Sequence, residues 1–304
     1  MSIPLFDRPR NLICKLPIPM LCLATAACAA NAPPSLRPSA LPVVHSEKGA
    51  RTVKSAWSCL AKPCIYVTNS TDGTGQGSVT IYPLDASGNT EPIATIAGPD
   101  TGLDLPQAVS VDKNHNIYVS NYRSALPTPQ ASITVYAAGA SGDSAPIANI
   151  SGSNTGLEQN FGIGVDTSGN IFVSENHLIE AKLAVFPAGA TGNVAPIRTI
   201  RKRRGEKDNQ FLGVALDMAN RIYIASPLSC ECSGESRILV YDHLANYVEK
   251  PLQNITGNHT FLILPNSVAV DRSDNIYVSN HGNGDGFGFL TVYAASSTGD
   301  VAPI

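Results

Sequence analysis

Short runs in which apolar and polar residues alternate recur along the chain, each bounded by Gly, Asn, Asp, Ser or Pro. A period of two over four to six residues predicts β-strands. The most regular run reads Ile65-Tyr66-Val67-Thr68-Asn69, then Ile117 to Asn121, Ile171 to Glu175, Ile222 to Ser226 and Ile276 to Asn280. Its aromatic residue returns every 51 to 54 positions, a spacing that defines an internal repeat.

Companion runs keep fixed offsets from each copy. A β-rich run ending in Asp precedes it, at Val109–Asp112, Ile163–Asp166, Val214–Asp217 and Val268–Asp271. The first repeat carries Trp57-Ser58-Cys59-Leu60 in that slot, a degenerate copy. A run ending in an aromatic follows, at Val79–Tyr82, Ile133–Tyr136, Leu183–Phe186, Ile238–Tyr241 and Leu290–Tyr293. A Pro-Ile or Pro-Leu word closes each repeat, at Pro92, Pro146, Pro196, Pro251 and Pro303. Turns such as Ser87-Gly88-Asn89 and Ser168-Gly169-Asn170 supply the positive φ that tight connections need.

Four short strands every 52 residues or so is the arithmetic of a propeller blade, and five copies are present. The predicted fold is an all-β β-propeller of four-stranded blades over residues 51–304. The stretch from Leu105 to Asn121, and again from Pro265 to Asn280, resembles the NHL-repeat signature, with Leu60 and Arg221 departing from it. The resemblance implies a six-bladed type, so five repeats ending at Pro303-Ile304 are read as one truncated at its C-terminus. A second way to close the ring uses Leu41 to His45 as an outer strand of a five-bladed one.

Composition narrows the function classes. Charged residues make up 15% and the net charge is −3, which gives no reason to expect a nucleic-acid partner. With 43% hydrophobic residues the chain can build a core, and a mean hydropathy of +0.02 speaks against many membrane spans. The N-terminus differs from the rest: Arg8, Arg10 and Lys15 precede an apolar stretch from Leu16 to Ala27, the order of an export signal. Residues 1–28 read as a signal peptide ending at a lipobox, Thr25-Ala26-Ala27-Cys28, with Cys28 the lipidation residue; Ala24-Thr25-Ala26 equally suits ordinary cleavage. Residues 29–50 read as a Pro/Ala-rich linker. The expectation is an exported protein, either a cell-envelope lipoprotein anchored in the outer membrane or a freely secreted one, touching membrane only through a lipid.

Candidate chemistry is sparse. Asp112, Asp166, Asp217 and Asp271 recur once per blade, which marks them as turn caps before catalysts. Glu175 and Ser226 break the series of Asn at the end of the strand word, and Glu175 is the leading binding candidate; the metal-dependent lactonases of propeller fold gather such carboxylates around calcium. His177 and His281 follow their strand words at similar offsets and join Glu175 as metal candidates, as in propeller lyases that bind zinc. Arg201, Lys202, Arg203 and Arg204, with Arg198 and Lys207, form a basic run assigned to a loop between blades, suited to an anionic partner. Cys59, Cys64, Cys230 and Cys232 are disulfide candidates; Cys59 and Cys64 flank one turn, and three pairings stay open.

With no convergent site, the sequence points first to a non-catalytic, monomeric, extracytoplasmic binding or scaffold propeller. It would present loops to a protein or polysaccharide ligand and hold no cofactor beyond a divalent metal. The alternative is a metal-dependent, lactonase-like hydrolase or a lyase working at the axial channel.

Overall fold

The computed structural model describes residue 59 and residues 62–70, 77–122, 131–176, 181–201, 210–227, 235–282 and 287–304. The signal segment, the linker and Cys28 lie outside them. Five antiparallel sheets follow one another along the chain. The first holds β1 (Cys64–Asn69), β2 (Ser78–Pro83) and β3 (Ala94–Ile96). The second holds β4 (Pro106–Val111), β5 (Ile117–Asn121), β6 (Ser132–Tyr136) and β7 (Ala148–Ile150). The third holds β8 (Asn160–Val165), β9 (Ile171–Asn176), β10 (Ala181–Phe186) and β11 (Arg198–Arg201). β12 (Val214–Leu216), β13 (Ile222–Ser226), β14 (Arg237–Tyr241) and β15 (Gln253–Ile255) make the fourth, and β16 (Pro265–Val270), β17 (Ile276–Asn280) and β18 (Phe289–Tyr293) the fifth.

These sheets are the five blades of a β-propeller. The first strands of successive blades contact one another, β4 with β8, β8 with β12 and β12 with β16, so they form the inner wall. There the backbones come so close that glycine is required. A Cβ at Gly162 would sit 2.4 Å from the carbonyl oxygen of Leu212, and one at Gly213 would sit 2.5 Å from the Cα of Ser267. In the first blade the inner-strand slot falls largely outside the described residues, although Cys59 from it is buried in the core shared with the second blade. In the fifth, the Ile304 amide donates to the Val292 carbonyl (2.8 Å), the bond that Ile147, Ile197 and Leu252 make in blades two to four. In the first four blades the outer strands start two residues after the proline, later than the Pro-Ile words suggested.

Alternation explains the packing. Along the second strand of a blade, Ile117 and Val119 face the preceding blade and pack with Val79, Ile81 and Ile96. Tyr118, with Ile133 and Val135, faces the following blade and packs with Ile171, Val173 and Phe186. Each interface therefore takes one face from each of two sheets. Polar clamps cross it: Thr68 donates to the Gln107 carbonyl (3.1 Å), Ser120 to that of Phe161 (2.9 Å), and Ser174 to that of Leu212. The fourth blade has Ala225 in that position, and there the Gly213 amide bonds the Asn266 carbonyl (2.9 Å).

The turn between first and second strands is held by the recurrent aspartate. Asp112 Oδ1 accepts the amides of Asn114 (2.8 Å) and Asn116 (2.9 Å), while Oδ2 accepts the Asn116 side chain (2.9 Å) and the Tyr118 hydroxyl (3.1 Å). Asp166, Asp217 and Asp271 repeat the pattern. In the fourth blade Arg221 stands where the others have Asn; it keeps the bond to Asp217 (2.5 Å) and reaches Asp274 of the fifth blade (2.6 Å). The first blade has Leu60 in the aspartate slot, and a Cys59–Cys64 disulfide spans that turn instead.

Replacing Asp112 by Ala strands two amides and a half-buried tyrosine hydroxyl, so we expect a loss of about 2–3 kcal/mol in chemical denaturation. Asp166→Ala should cost less, because Phe172 offers no hydroxyl in the third blade; equal losses would contradict this account.

Candidate functional site

At the end of the second strand in the second and fifth blades, an asparagine anchors the loop that leads into its blade. Asn121 Oδ1 accepts the Asp104 amide (3.2 Å), and its Nδ2 donates to Thr134 Oγ1 (3.1 Å). Asn280 does the same with the Ile263 amide (3.0 Å) and Thr291 Oγ1 (3.0 Å). A proline, Pro106 or Pro265, lies opposite the asparagine on the first strand. All polar capacity that faces the interior is used.

The third blade departs from this arrangement at three linked positions. Glu175 replaces the asparagine, Ala184 replaces the threonine, and Asn160 replaces the proline opposite. Glu175 Oε2 still anchors the leading loop, accepting the amides of Glu158 (2.9 Å) and Gln159 (3.3 Å). Its Oε1 is buried without a partner, as is Oδ1 of Asn160, whose Nδ2 donates to the Ser132 carbonyl of the second blade (3.1 Å). Glu175 and Asn160 are direct partners across the β8–β9 ladder. Burial pushes the Glu175 carboxyl up to about 7, against the opposing pull of the two amides and of Lys182 on the neighbouring strand. The Lys182 ammonium donates to the Gly156 carbonyl (2.8 Å), so it compensates the carboxylate through space. Two orphaned buried acceptors cost about 1–3 kcal/mol each. Orphaned polar atoms also occur in the fourth blade, at Ser226 among others, but among the described residues only the third blade leaves a carboxylate oxygen so, which marks a functional candidate.

Glu175 thus lies inside the interface between the second and third blades rather than on an open channel wall. Asn160 and Ala184 escaped sequence reasoning. The signal was present, because Asn160 stands where two other repeats have proline. His281 is exposed, and among the described residues no three His, Cys, Asp or Glu side chains gather as a metal cluster. His177, Lys202, Arg203, Arg204, Cys230 and Cys232 lie outside the described residues. The basic run does not start in a loop: Arg198 and Arg201 belong to β11, because they pair in register with Val185 and Lys182 of β10. Arg198 also donates to the carbonyls of His243 (2.8 Å) and Ala245 (3.1 Å), tying the third blade to the fourth. Cys59 and Cys64 form the disulfide that their spacing allowed.

The backbone matches solved propellers. A glucose dehydrogenase superposes with a TM-score of 0.52 at 11% identity, covering 80% of this chain and 81% of its own. The PQQ-bound aldose sugar dehydrogenase of Streptomyces coelicolor gives 0.51 at 12%, covering 78% and 77%. A gluconolactonase from Xanthomonas campestris gives 0.41 at 13%, covering 78% and 84%. At these identities the likeness is one of fold. No protein-family profile matches the chain, and no curated protein sequence does.

Because burial raises the folded-state pKa of Glu175 from 4.5 to about 7, the folded protein holds a proton across that window that the unfolded chain releases. Stability from this group therefore falls as pH rises between those values. In the presence of a chelator, we expect the thermal midpoint of Glu175→Gln to gain on that of the wild type as pH increases through the window. Parallel pH profiles would show that Glu175 is not held in this way.

Proposed function

We propose that the chain is a divalent-cation-dependent hydrolase of a small sugar-type lactone, with Glu175 and Asn160 at its centre. The observation that carries the reading is the pair of orphaned oxygens, Glu175 Oε1 and Asn160 Oδ1, on residues paired across one ladder. They are hard, neutral-to-anionic donors, the kind that calcium and magnesium take, and they come with no other satisfied role. In this reading Glu175 divides its work: Oε2 fixes the leading loop while Oε1, with Asn160 Oδ1, supplies two ligands. A cation bound there would polarise an ester carbonyl and acidify a water. Lys182 balances the carboxylate and keeps it ionised when the proton is displaced.

The sugar class is supported by the propeller neighbours, which are sugar dehydrogenases by name. The residues present do not suit the quinone cofactor of the second neighbour. PQQ is a polyanion, whereas Glu175 and Asn160 offer lone pairs, and Lys182 is already bonded to a carbonyl. The disulfide supports an extracytoplasmic setting, and the repeat signature supports an NHL-like lineage.

A non-catalytic binding platform is the second reading, favoured by the aspartates and asparagines that the turns and leading loops consume. Calcium titration of the purified protein and aldonolactone hydrolysis followed in a pH-stat distinguish the two. We expect calcium to raise the thermal midpoint of the wild type but not of Glu175→Gln. Hydrolysis should stop with EDTA and fall about 100-fold in that variant. Absence of any cation-dependent shift, together with no turnover under calcium, magnesium, manganese or zinc, would leave the binding platform as the function.

A further inference from the structure

Where consecutive blades meet, the turns that join their first and second strands become neighbours. At two of these junctions a side chain near the end of the later turn closes the seam. Between the third and fourth blades it is Asn220, whose Oδ1 accepts the Thr167 amide (3.1 Å) and whose Nδ2 donates to Thr167 Oγ1 (3.0 Å). Between the fourth and fifth it is Asp274, paired with Arg221 (2.6 Å). Both hold the left-handed backbone of the turn, at φ 62° and 63°. Asparagine and aspartate tolerate that region better than most side chains.

Between the second and third blades the same position is Gly169, at φ 87°. It meets the backbone requirement but has no side chain to send across, and among the described residues no hydrogen bond joins the two turns. A cavity of about 390 Å³ opens there, the size of a small-molecule site. It lies at the opposite end of β9 from Glu175.

The lining mixes polar walls with an apolar floor. Lys113 and Asn114 come from one turn, Asp166 and Ser168 from the other, above Ile147 and Ile171. The turns use only the amides of Asn114 and Ser168, so both side chains are available. Asp166 keeps spare acceptor capacity too. Asp112, Asp217 and Asp271 each receive a tyrosine hydroxyl at Oδ2, whereas Phe172 gives Asp166 none, and its Oδ2 accepts only the Asn170 side chain (2.8 Å).

Single, spaced donors and acceptors fit a ligand whose polar groups do both, and the floor fits a ring with C–H faces. An anion is disfavoured, because the described lining sets two carboxylates, Asp112 and Asp166, against one ammonium, Lys113. A wholly apolar guest would cut the polar walls off from water without replacing its hydrogen bonds. We propose that this cavity binds one pyranose unit of a neutral sugar. Its hydroxyls bond Asp166, Asn114, Ser168 and Lys113, and its C–H face rests on Ile147 and Ile171. The site is separate from Glu175 and does not depend on the hydrolase reading.

Saturation-transfer difference NMR on the full chain tests this, with glucose, galactose, mannose and N-acetylglucosamine as probes. At least one should give a saturable signal that Glu175→Gln leaves unchanged. Gly169→Asn restores the seam-closing residue and should abolish it. A Cβ there would sit 3.2 Å from that of Ala188, so a second variant guards against a folding failure. Combining Lys113→Ala, Asn114→Ala and Ser168→Ala should weaken binding about tenfold or more, with the thermal midpoint unchanged. Absence of a saturable signal from all four sugars would overturn the proposal. So would binding that a folded Gly169→Asn retains, or that the triple substitution leaves intact. A signal lost in Glu175→Gln would put the sugar at the other end of β9 and would also overturn it.

Discussion

A sheet of four strands, each three to six residues long, has no inside of its own. Its apolar side chains leave on both faces in strict alternation, so both faces need a neighbour before either is stable. That requirement organises the molecule. It fixes which side chains of Ile117–Asn121 look backward and which look forward, and it brings inner strands together at glycines 162 and 213. It also makes the blades interdependent, because no blade owns a complete core. Stability in such an array comes from nearest-neighbour interfaces more than from single repeats.

Against this apolar framework the polar residues have a narrow task, which is to leave nothing unpaired where the chain turns. The aspartate turns and the asparagine anchors do this with little redundancy, and substitutions within the series are mostly compensated. Arg221 keeps the bond that an asparagine would make and adds one to the next blade. Ala225 forgoes the serine clamp where a backbone bond crosses instead. The third and fourth blades both exchange the three matched residues and leave buried polar atoms unsatisfied, but among the described residues only the third leaves a carboxylate oxygen so. Compensation elsewhere makes that exception informative.

Much of the fold was legible because period-two runs and turn residues recur in phase. The second strands occupy the residues that the pattern named, to within one position, and the aspartates proved to be caps. The destination of Glu175 was not legible. Alternation gives two faces, but nothing in a single repeat tells which neighbouring blade each face meets, so an inward-pointing residue and an interface residue look alike. Asn160 was hidden for a related reason, since its importance depends on a cross-strand partner fifteen positions away. The basic run was misplaced because Arg198-Thr199-Ile200-Arg201 reads as polar, although its backbone completes a ladder whatever its side chains are.

The Cys59–Cys64 bridge has a consequence of a different kind. In the other blades the corner between first and second strands is secured by hydrogen bonds that any aqueous compartment permits. In the first blade the same corner is secured by a covalent bond whose survival depends on the surrounding thiol pool. Among the described residues, one corner of the ring is therefore set by where the protein resides. A cytosol that keeps thiols reduced would loosen the first blade while leaving the aspartate corners of the others intact.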